Sequence, residues 1–224
     1  MKRAAAQILA LVALALPSHG QLVLNFDDLA LNNYDPIPAS YGDTLVANIA
    51  DIQYRTLNAG DFSLYESHLE FWNNDYGDLT KVAYPSANGT VGEIAIVPAE
   101  GYGVRVVSFE MAGYSHQDRT NTVMRILDGS GNVLLNFAAS GSVAIQGDGS
   151  GPQHSTFTPN LTFAGAVRLQ WGTDWDIGLD NLKFEAVPLS AIPEPSTWAL
   201  LGLGAAGVLG WRRRRRGFRP RRVA

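Results

Sequence analysis

The sequence predicts an all-β protein whose central part folds as a jelly-roll β-sandwich. Strand-length apolar runs recur about every 8–15 residues through that part, and Gly, Asn and Asp separate them. No stretch shows the periodicity of a long amphipathic helix. Two packed sheets are the arrangement that buries one face of many short strands, and eight or more strands of this length favour a jelly roll.

The first half of this region mixes clear strands with ambiguous segments. Leu22 to Leu29 alternates apolar and polar residues, so it is predicted as the first strand, with Asp28 in phase with Leu22 and Leu24. Residues 32–43 and 73–78 are predicted as polar loops. Residues 49–57 fit either a strand or a helix, and the aromatic segment 62–72 fits neither pattern clearly.

The second half has a more regular pattern. Strands are predicted over 90–97, 102–112, 122–127, 133–137, 156–163, 166–171 and 179–187. Asp128-Gly129-Ser130-Gly131-Asn132 is typical of a hairpin turn between two of them, and 147–152 is predicted as a loop. In the last strand Asp180 is in phase with Leu182 and Phe184, which predicts that it faces the core.

Residues 1–20 have the pattern of a secretory signal peptide. A positive start precedes the apolar run 4–16, Pro17 ends that run, and Ser18 and Gly20 place small residues at −3 and −1 before Gln21. We therefore expect export and cleavage by signal peptidase near Gly20. An uncleaved N-terminal anchor is the alternative.

The C-terminal segment combines a rigid turn, an apolar run and a basic stop. Pro193, Glu194 and Pro195 disfavour helix, so a helix can begin only at about Ser196. The 16 residues from Ser196 to Trp211 would form a helix of ~24 Å, whereas a typical membrane span needs ~20 residues. Snorkelling of the arginine side chains could make up the difference. A buried core helix is the alternative, but no polar face exists. The arginines predicted to stay cytoplasmic are Arg212, Arg213, Arg214, Arg215 and Arg216.

Pro-Glu-Pro-Ser-Thr-Trp at 193–198, the apolar run and the arginine cluster resemble the PEP-CTERM sorting signal of Gram-negative bacteria, also named an ice-binding protein C-terminal domain. The resemblance covers 193–216, with a transmembrane helix at about 197–211. It implies recognition by an exosortase, transient anchoring in the inner membrane, and delivery to the cell surface or extracellular matrix, usually linked to exopolysaccharide and biofilm. The basic tail 217–224 departs from the family pattern and is expected to stay cytoplasmic. No regular Thr-x-Thr array supports ice binding.

Between the targeting segments we predict one domain, 21–187, followed by a linker, 188–192. Residues 21–192 contain seven Lys and Arg against 20 Asp and Glu, a formal charge of −13, compared with −4 for the whole chain. So acidic a domain is not expected to bind nucleic acid through charge, and it could bind divalent cations. The absence of cysteine excludes disulfides and thiolate metal sites.

The two aspartates in phase with core positions, Asp28 and Asp180, each need a compensating partner if buried. A hard cation with oxygen ligands is one solution, and Asp174 and Asp176 lie just upstream of Asp180. Capping of turns, or pairing with one of three arginines, is the alternative. Those arginines are Arg105, Arg125 and Arg168.

Four short motifs, at 26–29, 107–114, 127–134 and 177–184, resemble the jelly-roll ectodomains of PEP-CTERM proteins. Their layout is similar to carbohydrate-binding modules with a galactose-binding-like fold. This resemblance implies a structural calcium held by Asp180 and by groups near the first strand, with no catalytic role.

Two aromatic clusters are candidates for sugar binding, at 71–76 and 171–176. Trp171 alternates with Val167 and Leu169, which predicts a core position, whereas Trp175 lies between two acids and is expected to be more exposed. Trp72 fits either environment. The predicted ligand-binding residues are Trp72, Asn74, Tyr76 and Trp175.

No catalytic signature is present. The sequence contains no HExxH, no GxSxG and no cysteine, and 48 and 38 residues separate His68, His116 and His154. Pairs of acids leave a two-carboxylate glycosidase open. The leading prediction is therefore a non-catalytic polysaccharide-binding module. The alternatives are a structural matrix component without a specific ligand and, less favoured, a glycan-active hydrolase.

Overall fold

The structure is a computed structural model that describes residues 20–44, 49–149 and 151–189. The predicted signal peptide up to residue 19, the sorting segment 193–216 and the tail 217–224 lie outside these residues. The chain divides into two units between Leu189 and Ser190, inside the predicted linker. Within the described ranges, no helix has the length and apolar character that crossing a bilayer requires.

The described residues form fifteen β-strands and no α-helix, so the prediction of an all-β protein is confirmed. In chain order the strands are β1 (Leu22–Leu24), β2 (Ala50–Asn58), β3 (Leu64–Glu66), β4 (Glu70–Tyr76), β5 (Leu79–Tyr84), β6 (Thr90–Pro98), β7 (Tyr102–Gly113), β8 (Arg119–Asn121), β9 (Met124–Asp128), β10 (Val133–Asn136), β11 (Val143–Ile145), β12 (Ser155–Phe157), β13 (Leu161–Phe163), β14 (Val167–Trp171) and β15 (Ile177–Pro188).

Most strands belong to two open antiparallel sheets. The first sheet runs β12-β7-β15-β5-β4, with β1 paired to β15 and β13 paired to β7, and the second runs β10-β9-β14-β6-β2-β3. β8 and β11 form a separate ribbon. Buried residues of both sheets pack into one hydrophobic cluster, so the sheets enclose a common core in a sandwich-like arrangement. The finer assignment as a jelly roll stays a prediction.

The core follows from strand alternation. In β14, Val167, Leu169 and Trp171 point into the sandwich, as predicted. The indole Nε1 of Trp171 donates to the backbone oxygen of Ile177 at 3.1 Å, which satisfies its polar atom inside the core. On the neighbouring strand β6, Gly92 leaves the space that this ring fills: a Cβ there would lie 2.7 Å from the indole.

A buried ion network lies on the second sheet, where β2, β6 and β14 are adjacent. Glu93 is 0% exposed, and its carboxylate accepts hydrogen bonds from Arg55 at 3.0 Å and from Arg168 at 2.8 Å. Gln170 donates a further bond at 2.6 Å. This buried carboxylate therefore has the paired, fully hydrogen-bonded surroundings that burial of a charge requires.

The polar loop predicted at 73–78 is wrong for 73–76, which are strand, while 77–78 form a turn. β4 continues to Tyr76 and reaches its end through a bulge at Asn74 and Asp75, which both have φ of 65°. Asn and Asp tolerate this left-handed backbone better than other side chains, which is why a polar run can lie within a strand here. β5 was not predicted, because three consecutive buried residues end it and hide its alternation.

The backbone shows the conformation of the segments that the sequence left open. The undecided segment 49–57 is strand β2, and 62–72 contains β3 and the start of β4. Phe26 has φ of 55°, so the first strand ends at Leu24, and Asn160 with φ of 48° separates β12 from β13. The predicted hairpin is confirmed: β9 pairs with β10, and Asp128 accepts the backbone N–H groups of Ser130 and Asn132, each at 2.9 Å.

Candidate functional site

A second aromatic cluster lies on the outer face of the first sheet, at its β4 edge. Successive residues of β4 face opposite sides, so Phe71 joins the core while Trp72 joins this outer cluster. Tyr76 and Tyr84 are buried beside Trp72, and Tyr114 and Trp175 pack against the group while remaining partly exposed. A sandwich ordinarily exposes polar residues on an outer face, so this apolar outer face marks a candidate binding surface.

The segment 32–37 covers the edge of β4 and adds one more ring. The backbone N–H of Tyr34 donates to the oxygen of Phe71 at 3.0 Å, and the N–H of Phe71 donates to the oxygen of Asp35 at 3.0 Å. A bridge between Pro36 and Glu70 continues this pairing. Backbone hydrogen bonds thus protect the edge strand and hold the Tyr34 ring over Trp72, with 65% of the Tyr34 residue exposed.

These side chains line a pocket of about 280 Å³. Its rings meet at steep angles: Trp72 crosses Tyr34 at 86° and Tyr114 at 90°, with centroids 4.8 and 5.4 Å apart. The Trp175 and Tyr114 rings have an interplanar angle of 68°, and their centroids are 4.8 Å apart. Residues 86–88 form a further part of the wall. The rings enclose the pocket from several sides and do not form one flat platform.

The acidic group of the pocket is the carboxylate of Glu70. It accepts a hydrogen bond from the Tyr84 hydroxyl at 2.5 Å. Burial raises the pKa of Glu70; the Tyr84 hydrogen bond opposes this, and the charge of Glu66 adds to it. Of the described residues that line the pocket, Glu70 is the one ionisable at neutral pH. The pocket therefore offers aromatic surface together with a single acid.

Contacts beneath the pocket hold its far wall in place. The Tyr76 hydroxyl donates to the backbone oxygen of Trp175 at 2.6 Å, and the N–H of Tyr114 donates to the oxygen of Asp176 at 2.9 Å. Gly178 lets β15 approach closely, since a Cβ there would lie 2.7 Å from Val82. The turn that carries Trp175 is thereby fixed against β4 and β7.

The four predicted ligand-binding residues have different positions. Trp72 and Trp175 both line the pocket and are joined through Tyr114, which packs against each. Tyr76 is fully buried beneath the pocket, and Asn74 is exposed in the bulge and does not line it. Four further residues of the pocket are not predicted from the sequence: Tyr34, Glu70, Tyr84 and Tyr114. Alternation could have placed Tyr84 on one face of β5, but β5 itself was not recognised.

The predicted metal ligands do not all come together. Asp28 is exposed and accepts the Tyr41 hydroxyl at 2.9 Å, so its predicted core position is wrong because the strand ends before it. Asp176 lies 3.4 Å from Arg119, and Asp174 accepts the N–H of Trp175 at 2.9 Å. Among the described residues, no group of three or more His, Asp and Glu is arranged to hold a metal ion.

Asp180 is buried, with 4% of the residue exposed, but the predicted core-facing alternation is wrong. Its neighbour Leu179 belongs to the core and Asp180 pairs with Glu110, because the left-handed backbone at Asn181 (φ of 50°) shifts the alternation before Leu182. Its carboxylate accepts the backbone N–H of Asn181 at 2.6 Å. Burial raises the pKa of Asp180 to about 8, and the charges of Asp27 and Glu110 add to this. The proposed arginine partners contact other groups: Arg105 binds Glu185, Arg125 binds Gln170 and Arg168 binds Glu93.

Similarity to solved structures is weak. The K3 cleaved adhesin domain of Lys-gingipain from Porphyromonas gingivalis w83 is 14% identical with a TM-score of 0.34, covering 75% of this chain and 99% of that one. The enzymatically active domain of tailspike protein 4 of bacteriophage CBA120 is 12% identical with a TM-score of 0.26. The match covers 67% of this chain and 21% of that one. At these scores neither likeness carries an argument about function. No curated protein matches the sequence.

The C-terminal segment, in contrast, has a direct match. The family model of the PEP-CTERM protein-sorting motif matches residues 191–215, which include the Pro-Glu-Pro turn, the apolar run and four of the five consecutive arginines. Recognition of this segment from sequence is thus confirmed. The chain carries a PEP-CTERM protein-sorting motif, which implies export, membrane-anchored sorting and processing by an exosortase.

Proposed function

We propose that this protein is a non-catalytic polysaccharide-binding protein of the cell surface or extracellular matrix, delivered by its sorting motif. The observation that carries the proposal is the outer-face pocket, in which Trp72 and Trp175 lie either side of Tyr114 with Glu70 beside them. Aromatic rings contact the apolar faces of sugars, and a nearby acid can accept hydrogen bonds from hydroxyl groups. Delivery to the outside would bring this pocket into contact with exopolysaccharides.

The size of the pocket favours recognition of one sugar unit. A volume of about 280 Å³ lies just below the ~300–1,000 Å³ of drug-sized sites. The polymer would then lie across the open mouth, where Tyr34 is exposed and Asn88 supplies an amide. Repeated weak contacts along a polymer add up through multivalency, so a small pocket suffices for a matrix protein.

Binding without catalysis is proposed because a hydrolase needs two acids across the scissile bond, about 5–10 Å apart. The pocket presents one acid, Glu70. The alternative of a structural component without a ligand is favoured by one observation: Trp72 is only 8% exposed, so part of the aromatic cluster serves packing. The two proposals differ in whether removing the exposed rings abolishes binding.

A structural calcium at Asp180 is part of the proposal. Asp180 is buried with no basic partner among the described residues, and Asp27 and Glu110 are near enough to raise its pKa. Asp28 and Asp180 both lie near Tyr41, because the charges of both carboxylates raise the pKa of Tyr41, after the larger effect of burial. Carboxylate oxygens are ligands that calcium prefers, and backbone or water oxygens would complete the coordination, because the described residues contain no group of three or more acids and histidines arranged for a metal. The ion would stabilise the folded state.

The test is affinity electrophoresis of the full chain through gels that contain bacterial exopolysaccharides. A polyoxyethylene detergent, which has neither sugar nor charge, keeps the chain in solution. We expect retardation by at least one polysaccharide, lost in Trp175→Ala. Tyr65→Ala is the matched control, because Tyr65 is an exposed aromatic of β3 outside the pocket. Equal mobility of native protein and Trp175→Ala in every gel would favour the structural alternative.

A further inference from the structure

The rings of the pocket are arranged as a box. A flat sugar-binding platform presents one ring face, whereas here Trp72 is crossed near perpendicularly by Tyr34, Tyr84 and Tyr114, at 86°, 80° and 90°. Each of these rings lines the same pocket. A bound group is therefore surrounded by aromatic surface on several sides, which suits a compact substituent better than the broad face of a sugar ring.

The electrostatics of this box favour a positive charge. Ring faces carry negative potential and attract ammonium groups. The carboxylate of Glu70 lines the box, and no Lys or Arg is among the described residues that line it. The surrounding region 21–192 has a formal charge of −13, which raises the local concentration of cations.

The Glu70 carboxylate is suited to this role because it is incompletely compensated. The Tyr84 hydroxyl supplies one hydrogen bond, and Glu66 and His68 are the other charged or titratable groups that act on it. Burial raises the pKa of Glu70, and the Tyr84 hydrogen bond offsets this only in part. An ammonium group in the box would be a further partner, and its binding would favour the ionised carboxylate.

We propose that the pocket selects the ammonium group of an amino sugar, so that the protein recognises a polysaccharide with free, N-deacetylated amino groups. This rests on the proposed function and names the class of polysaccharide. The amino group enters the box against Glu70, Trp72 and Tyr84, while Trp175 and Tyr34 contact the sugar that carries it. An N-acetyl group removes the charge and enlarges the substituent, so the acetylated sugar is disfavoured.

The test measures the binding of three monosaccharides to the full chain in polyoxyethylene detergent, by ligand-observed NMR at pH 7. Glucosamine, which is charged, is expected to bind about tenfold more tightly than glucose or N-acetylglucosamine, which are neutral. Glu70→Gln keeps the shape of the side chain and removes its charge, and it is expected to abolish the preference. Tyr65→Ala, outside the pocket, is expected to retain it. Near-UV circular dichroism checks that each variant is folded.

A second arm uses tetramethylammonium, whose charge does not change with pH. Its affinity for the native protein is expected to fall severalfold as the pH is lowered and Glu70 takes up a proton, and to stay constant in Glu70→Gln. An affinity independent of pH in the native protein would show that Glu70 is not the counter-charge, and would overturn the proposal.

The outcomes separate this proposal from the proposed function. Equal binding of glucose and glucosamine overturns selection of an ammonium group and leaves polysaccharide binding in place. Binding of none of the three sugars, with no polysaccharide retarding the protein in the gels described above, overturns both. Preference for glucosamine that persists in Glu70→Gln also overturns the mechanism, because the charge that should select the ligand would then be dispensable.

Discussion

Replacement of Asp180 by asparagine gives the sharpest prediction for stability. Asp180 is 4% exposed and has a pKa raised to about 8, chiefly by burial. In the calcium-free protein the folded state therefore keeps a proton on this carboxyl up to about pH 8, whereas the unfolded chain releases it near its ordinary pKa of 3.8. Unfolding between these values releases a proton, so the free energy of unfolding falls as the pH rises from about 4 to 8.

The size of the effect follows from the shift. About four pKa units at ~1.4 kcal/mol each give roughly 5 kcal/mol of lost stability across that range. For a domain of this size, 1 kcal/mol corresponds to ~2–4 °C, so the melting temperature should fall by about 10–20 °C. Asparagine keeps the shape and cannot ionise, so Asp180→Asn is expected to lack this contribution to the pH dependence.

The assay is thermal unfolding of the full chain and of Asp180→Asn, followed by near-UV circular dichroism. With a chelator present, native protein should lose stability from pH 5 to pH 8, and the variant should change less and be the more stable at pH 8. Millimolar calcium at pH 8 should then raise the melting temperature of native protein only, because calcium binds the ionised carboxylate of the folded state.

Two results would contradict this reasoning. Identical pH profiles of native protein and variant in chelator would mean that burial does not penalise the ionised Asp180. A calcium response that is the same in both proteins would exclude Asp180 as a ligand. Glu110→Gln is a further control, since Glu110 is close enough to raise the pKa of Asp180 and its loss should reduce the pH dependence without removing it.

Three other predictions concern the core, the ion network and sorting. Gly92→Ala places a Cβ 2.7 Å from the Trp171 ring and should cost about 1–3 kcal/mol, measured by urea unfolding; an unchanged midpoint would show that the ring can move away. Glu93→Gln leaves Arg55 and Arg168 without their shared carboxylate and should cost about 3 kcal/mol in the same assay. Because Glu93 is buried, the loss of stability should be the same in low and in high salt. Glu194→Ala disrupts the matched sorting motif, so immunoblots of cell fractions should show unprocessed protein retained in the inner membrane, and normal release would contradict a role for Glu194.

Much of the site depends on residues that are distant in the sequence. One pocket is lined by residues from a loop, two neighbouring strands, the bridge position after β7 and a turn: Tyr34, Glu70, Tyr84, Tyr114 and Trp175. Alternation within a strand can tell which residues share a face, as it did for Trp171, but not which strands become neighbours. The segment 32–37 was predicted as a loop, and only its backbone pairing with β4 brings Tyr34 to the pocket.

The sequence by itself determined the features that depend on local chemistry. The all-β class follows from short alternating runs, the hairpin from Asp128 to Asn132 follows from turn chemistry, and the sorting motif at 191–215 is a contiguous pattern. The tertiary structure decided which carboxylates are paired and which aromatic residues meet. Within the described part of the chain, Glu93 contacts two arginines and Asp180 contacts none. This difference arises from strand order, because the pairing of β2, β6 and β14 brings Arg55 and Arg168 to the side of Glu93.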